Sequence, residues 1–133
     1  MTVDELNAVR QLSKVIRNQE QALEIERRVA ALKVPERDGL PKSYAVDSRV
    51  ERLAIRIADA SRKIAEMKEQ LLEAEIYLEQ QINIEVTDIT ARALLILRYV
   101  HCKCFQEISE IMGYSESHIY RLHNRILQDL KIG

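Results

Sequence analysis

The chain has 133 residues, with Lys and Arg at 20 against Asp and Glu at 21, so its formal net charge is −1. That excludes a polycation coating nucleic acid by bulk charge, and a content of 31% charged and 47% hydrophobic residues excludes a disordered polyelectrolyte. With Gly at 3, Pro at 2 and no Trp, too few turn formers remain for an all-β fold or a Gly-rich phosphate loop. The core has to come from Leu, Ile, Val and Ala, which suits packed helices, and the expected fold class is all-α.

The first element is a helix from about Val3 to Lys33. Thr2 and Glu5 have the spacing of a capping box, in which each side chain satisfies a free backbone N–H. Val9, Leu12, Ile16 and Leu23 make one apolar stripe on this helix. Val15, Ala22, Ile25, Val29 and Leu32 make a second, so the helix is expected to face two neighbours. Pro35, Asp38-Gly39 and Pro41 then break the periodicity and predict a loop over 34–46.

The next element has the clearest pattern. Val50, Leu53, Ile57, Ala60, Ile64, Met67, Leu71, Ala74 and Leu78 follow alternating steps of three and four, a heptad seam with apolar a and d positions. With Asp47 as N-cap and an end near Ile82, this helix spans roughly 54 Å at ~1.5 Å per residue. Such a seam needs a partner, either the first helix folded back as a hairpin or another chain. Self-association, with a dimer favoured, is expected to use Val50, Leu53, Ile57, Ile64, Met67, Leu71 and Leu78.

Beyond Val86 the texture changes. Lys and Arg number 6 and Asp and Glu 5 after residue 86, which makes this part +1 and the preceding part −2. The boundary divides a helical arm, 1–86, expected to be a long antiparallel helical hairpin, from a small C-terminal domain, 87–133. Thr87 is placed to cap a helix reaching about His101, with Ala91, Leu94, Leu95 and Leu97 as buried candidates. A break at His101-Cys102-Lys103 precedes a helix from about Cys104 to Met112, carrying Phe105, Ile108, Ile111 and Met112. Gly113-Tyr114 reads as a tight turn, and Ser115 as the N-cap of a last helix to about Lys131. Two short helices joined by a glycine-containing turn are the pattern of a helix-turn-helix.

On the last helix Ile119, Leu122, Ile126 and Leu130 form the stripe to be buried. The opposite face presents Ser117, Arg121, Asn124 and Gln128, with Tyr120 and Arg125 beside them. Such groups can hydrogen-bond base edges and phosphates, although a polar outer face is also what any amphipathic helix presents to water.

Leu94-Leu95-Ile96-Leu97-Arg98-Tyr99, Phe105-Gln106-Glu107-Ile108-Ser109, Met112-Gly113-Tyr114-Ser115 and Ile119-Tyr120-Arg121-Leu122-His123 together resemble region four of bacterial sigma-70-type factors. The likeness spans about Thr87 to Leu130. The whole layout is similar to small phage and prophage proteins of the RinA and ArpU type, regulators of late transcription. This resemblance implies a helix-turn-helix that binds double-stranded DNA and activates phage or prophage genes in the cytoplasm of a bacterial host. It puts Glu116, Ser117, Tyr120 and Arg121 at positions that reach the major groove, and Arg125 at a phosphate contact. His118 and Lys103 are further candidates for the backbone, with Asn124 and Gln128 completing the reading face. It also sets Cys102 where the family often has Gly, Cys104 where it often has a capping Ser, and Glu116 where a basic residue is common. A domain so weakly basic is expected to bind DNA modestly as one copy. The same resemblance raises RNA polymerase as a partner, with the domain acting as an interaction module that does not read DNA.

His101, Cys102 and Cys104, with His118 and His123, suggest a metal site at first sight. Structural zinc normally uses ligand pairs two to four residues apart, so Cys-x-Cys in a connecting turn favours a plain turn. His123 falls near the buried edge of its helix and is expected to pack. No Ser-His-Asp set, paired carboxylates or nucleotide loop stands out, so neither enzymatic activity nor a cofactor is expected. No apolar run approaches the ~18 residues of a membrane span, and Asp4 and Glu5 stand where a secretory signal would be basic. The two closely spaced cysteines suit a reducing compartment better than a disulfide.

Overall fold

A computed structural model of the chain describes residues 1–32 and 44–132. Among the described residues the protein is all-helical. The helices are α1 (Val3–Leu32), α2 (Tyr44–Glu85), α3 (Ile89–Leu95), α4 (Phe105–Met112) and α5 (Glu116–Ile132), and a π-helical stretch, Ile96–Val100, continues α3. No described helix is long and apolar enough to cross a membrane.

The capping box at the start of α1 forms as its spacing requires. The Glu5 N–H donates to Thr2 Oγ1 at 3.2 Å, and the Thr2 N–H donates to Glu5 Oε2 at 3.4 Å. Most of the expected loop, with Pro35, Asp38, Gly39 and Pro41, lies outside the described residues. α2 starts earlier than expected, at Tyr44, so Asp47 lies within the helix and is not its N-cap. No proline or glycine follows Pro41 to stop the helix from extending back.

The chain divides into two compact units, one of Met1–Lys14 with Gln70–Gly133 and one of Val15–Glu69. The change in composition falls instead after residue 86, because charge density and contact density mark different things.

In the Val15–Glu69 unit, Ile16, Leu23 and Ile64 are buried, and Leu53, Ile57 and Met67 are half-buried. Side chains also link α1 to α2. Lys68 Nζ lies 2.6 Å from Glu20 Oε1, Arg56 Nη2 lies 2.8 Å from Glu26 Oε1, and Arg27 Nη2 donates to Ser61 Oγ at 2.8 Å. These ion pairs are exposed and contribute little each, about 0–1 kcal/mol. Apolar burial holds the unit, and the polar pairs set its register.

The other unit has one contiguous core. Leu6 and Val9 of α1 and Leu78 and Ile82 of α2 join Ala91, Leu94 and Leu95 of α3. Tyr99 and Val100 of the π stretch, Ile108 of α4, and Ile119, Leu122 and Ile126 of α5 complete it. Leu71 and Ala74 pack against this core. Most of the heptad seam is therefore covered within a single chain, and of its members Val50 stays open, at 53% exposure.

Two details of the C-terminal segment depart from expectation. Asp88, not Thr87, is the N-cap of α3. Its backbone is extended, at φ −74° and ψ 123°, and its carbonyl accepts from the Arg92 N–H at 3.0 Å. The expected single helix to His101 also widens after Leu95 into a π turn, with the His101 N–H donating to the Ile96 carbonyl at 3.0 Å.

Candidate nucleic-acid interface

α4 ends at Gly113, whose left-handed backbone, φ 76° and ψ 22°, forms the αL cap. The Gly113 N–H donates to the Ser109 carbonyl at 2.9 Å, closing the helix. Two residues on, Ser115 opens α5. Its Oγ accepts from the His118 N–H at 3.2 Å, and its carbonyl accepts from the Ile119 N–H at 3.0 Å, as an N-cap should. Local sequence thus sets both ends of the turn between α4 and α5.

An aromatic cluster joins the two helices. The Phe105 ring lies 4.2 Å from that of Tyr120 and 5.1 Å, edge-on, from that of His123. The Arg98 guanidinium sits 4.0 Å above Phe105, a cation–π contact. Arg98 Nη1 donates to the Lys103 carbonyl at 3.1 Å, while its Nε is buried without a partner among the described residues. Burial, with Arg10 nearby, pushes the Arg98 guanidinium below the usual arginine range. Arg98 therefore braces the turn before α4 against α4 itself, a role its place in the sequence motif does not reveal. The signal that could have found it is an arginine seven positions before the chain's single phenylalanine.

α5 shows a clean division of faces. Ile119, Leu122 and Ile126 are buried and Leu130 is half-buried. Glu116, Ser117, His118, Tyr120, Arg121, Asn124, Arg125 and Gln128 are all exposed. Ser117, Arg121, Asn124 and Gln128 fall at steps of three and four and so share one face, offering a hydroxyl, a planar guanidinium fork and two carboxamides.

Several candidates already have neighbours. The Tyr120 ring leans at a tilt against that of Phe105, and the His118 ring lies 4.8 Å from that of Tyr114. Lys103 is half-buried, with its ammonium 3.7 Å from Glu107 Oε2. Arg125 borders a groove that Glu85, Asp88 and Asp129 also line. An incoming phosphate would meet a field less positive than these two cations alone suggest.

The possible metal ligands are not brought together. Cys102 Sγ donates to the Tyr99 carbonyl at 3.8 Å, whereas Cys104 Sγ donates to Glu107 Oε1 at 3.4 Å. His123 is buried against Tyr99, and His118 is exposed at the other end of the turn. Among the described residues no three of His, Cys, Asp and Glu cluster in a way that could hold a metal ion. Cys104 does occupy the N-cap of α4, with φ −76° and ψ 162°, but bonds no backbone N–H there. Cys102 is the one described non-glycine residue with positive φ, 55°.

Comparison with family models, with curated proteins and with solved structures returns no match. The functional reading therefore rests on this geometry and on the sequence motif. The arrangement offers a helix held at its N-terminus by a capped turn, with an open row of hydrogen-bonding side chains.

Proposed function

We propose that the protein binds double-stranded DNA in a sequence-specific way and regulates transcription, as an activator of phage or prophage genes in a bacterial cytoplasm. In this reading residues 87–133 form a sigma-region-four-like helix-turn-helix, and residues 1–86 form a helical hairpin arm that sets spacing. The α5 helix enters the major groove. Arg121 forks onto guanine O6 and N7, Asn124 and Gln128 serve adenine edges, and Lys103, His118 and Arg125 hold phosphates. No reaction and no cofactor are involved.

The observation that carries this reading is the open face of Ser117, Arg121, Asn124 and Gln128, on a helix whose N-cap Ser115 follows the left-handed Gly113. A polar helix face alone is ordinary. A capped, glycine-turned helix pair that leaves such a face open is what groove insertion needs.

A second reading, an RNA polymerase-binding module that leaves DNA unread, draws on the apolar exposure of Ile111 (58%) and Tyr114 (43%) at the end of α4. Selection of bound duplexes from a random library, repeated at rising salt, separates the two. A recurrent motif whose affinity falls steeply with salt is the expected result. Recovery of no motif, together with retention of purified polymerase, would establish the second reading instead.

A further inference from the structure

α1 carries two seams, and they differ in chemistry. The seam packed within the chain includes Glu20 and Arg27, whose charges reach Lys68 and Ser61. The other seam contains no charge from Val15 to Leu32, although one residue in three of α1 is charged. Its members are Val15, Asn18, Ala22, Ile25, Val29 and Leu32, separated by alternating steps of three and four. All six are exposed, Ile25 at 60% and Leu32 at 84%. A charge-free heptad row left open to water is the reverse of what a solvated helix face needs.

We propose that a second copy of this chain covers the row, as a parallel, in-register pairing of α1 with α1. Three observations point to that occupant. Val15 and Val29 fall at a positions, where β-branched residues favour two strands. Asn18 is the one polar member, at a d position. In a parallel, in-register pair its carboxamide meets Asn18 of the second copy and the two bond each other. Against an antiparallel copy, or a fully apolar partner helix, it is buried without a bond. Within Val15–Leu32 the flanking pair, Gln21 beside Glu26 of the second copy, opposes no like charges.

The row is short. A stable dimer of standard size buries about 800 Å² per partner, and these side chains supply less. Pairing is therefore weak and reversible, with dissociation in the range of tens to hundreds of micromolar, roughly −5 to −6 kcal/mol. It uses α1 instead of the α2 seam, most of which is already covered within the chain. The pairing requires no DNA.

Sedimentation equilibrium of the full chain without DNA, from about 5 µM to about 1 mM, tests the proposal. The mass should rise from monomer toward dimer across that range. Ile25→Asp should keep its helical circular dichroism, because Ile25 is exposed in the single chain, and should stay monomeric throughout. Asn18→Leu should tighten the dimer at least tenfold by removing the polar member. In a background lacking Cys102 and Cys104, Asn18→Cys should form a disulfide-linked dimer under oxidised glutathione, which is itself reduced as the bond forms. A parent that remains monomeric to about 1 mM would overturn the proposal. So would a dimer indifferent to Ile25→Asp, or one whose Asn18→Cys variant fails to cross-link.

Discussion

The Tyr99 hydroxyl lies 2.6 Å from Nε2 of His123, joining the π-helical stretch to α5 inside the core. Both residues are buried, and their rings are stacked with centroids 5.8 Å apart. With the imidazole proton on Nδ1, the phenol O–H donates and Nε2 accepts, so neither polar group is left unpaired in an apolar setting.

That pairing makes the fold sensitive to mild acid. Burial first, then the Arg98 and Arg10 guanidiniums, push the His123 imidazole below its ordinary value of 6.5, against a smaller opposing contribution from Asn124. The unfolded chain therefore takes up this proton at a higher pH than the folded chain does. Stability is fully present above 6.5 and is lost as pH falls from there toward the lowered folded value. For one proton the limiting slope is about 1.4 kcal/mol per pH unit. Glu75 acts with the opposite sign, since burial raises its carboxyl pKa above 4.5. Thermal melts at about pH 7.5 and about pH 5.5 check the prediction against His123→Gln, which keeps a group to meet the hydroxyl but cannot titrate. The parent should lose more stability than the variant, and equal losses would remove His123 as the sensor.

Core and surface isoleucines of the α4–turn–α5 segment should separate cleanly. Ile119 is fully buried, so Ile119→Ala should cost roughly 2–5 kcal/mol through lost transfer energy and a residual cavity. Ile111 is 58% exposed, and Ile111→Ala should change stability by less than about 1 kcal/mol. Urea unfolding followed by circular dichroism measures both. Similar costs would mean that α4 and α5 pack differently.

Much of this arrangement is legible in the amino-acid order, because it is local. The Thr2–Glu5 box, the Gly113 turn, the Ser115 cap and the buried stripe of α5 each depend on residues within a few positions of one another. The start of α3 is less legible, because Thr87 and Asp88 are both good caps, and tertiary packing decides between them. The π turn at Ile96–Val100 has no compositional mark. Its wider hydrogen bonding goes with Tyr99 and Val100 both lying in the core. The bracing position of Arg98 depends on Phe105 arriving from the next element. Which of two seams on α1 meets α2 could not be settled from α1 alone, since both carry apolar residues at helical spacing.

Two backbone positions with positive φ predict stability changes of opposite sign. Gly113 has φ 76°, and an added Cβ there would meet nothing within 4 Å, so Gly113→Ala tests conformation without steric clash. It should destabilise by about 1–2 kcal/mol. Cys102 holds φ 55° with a side chain, where glycine is freer. Cys102→Gly relieves that conformation at the expense of a weak 3.8 Å thiol contact to the Tyr99 carbonyl, and the melting temperature should rise. Comparison of the two melts checks the pair. A fall on Cys102→Gly would mean that the thiol contributes more than the backbone strain costs.

Arg121 and Arg125 provide the sharpest test of the proposed reading face. Both are exposed, one turn apart, so alanine at either removes no core volume and should leave the melting temperature nearly unchanged. Their effects on DNA should nevertheless differ. Arg121 shares the face of Ser117, Asn124 and Gln128, so Arg121→Ala should weaken binding to the selected site by about 1–3 kcal/mol and relax the preference at one base pair. Arg125 lies beside that face and borders the groove with Glu85, Asp88 and Asp129. Its loss should weaken all sequences alike and reduce the salt slope by about one unit. Titrations of the selected duplex and a scrambled duplex, each at several salt concentrations, distinguish the two roles. If Arg121→Ala binds the selected site with the parent's affinity and preference, this face is not the reading surface. The exposed end of α4, with Ile111 and Tyr114, then becomes the working surface, in line with a polymerase-binding module.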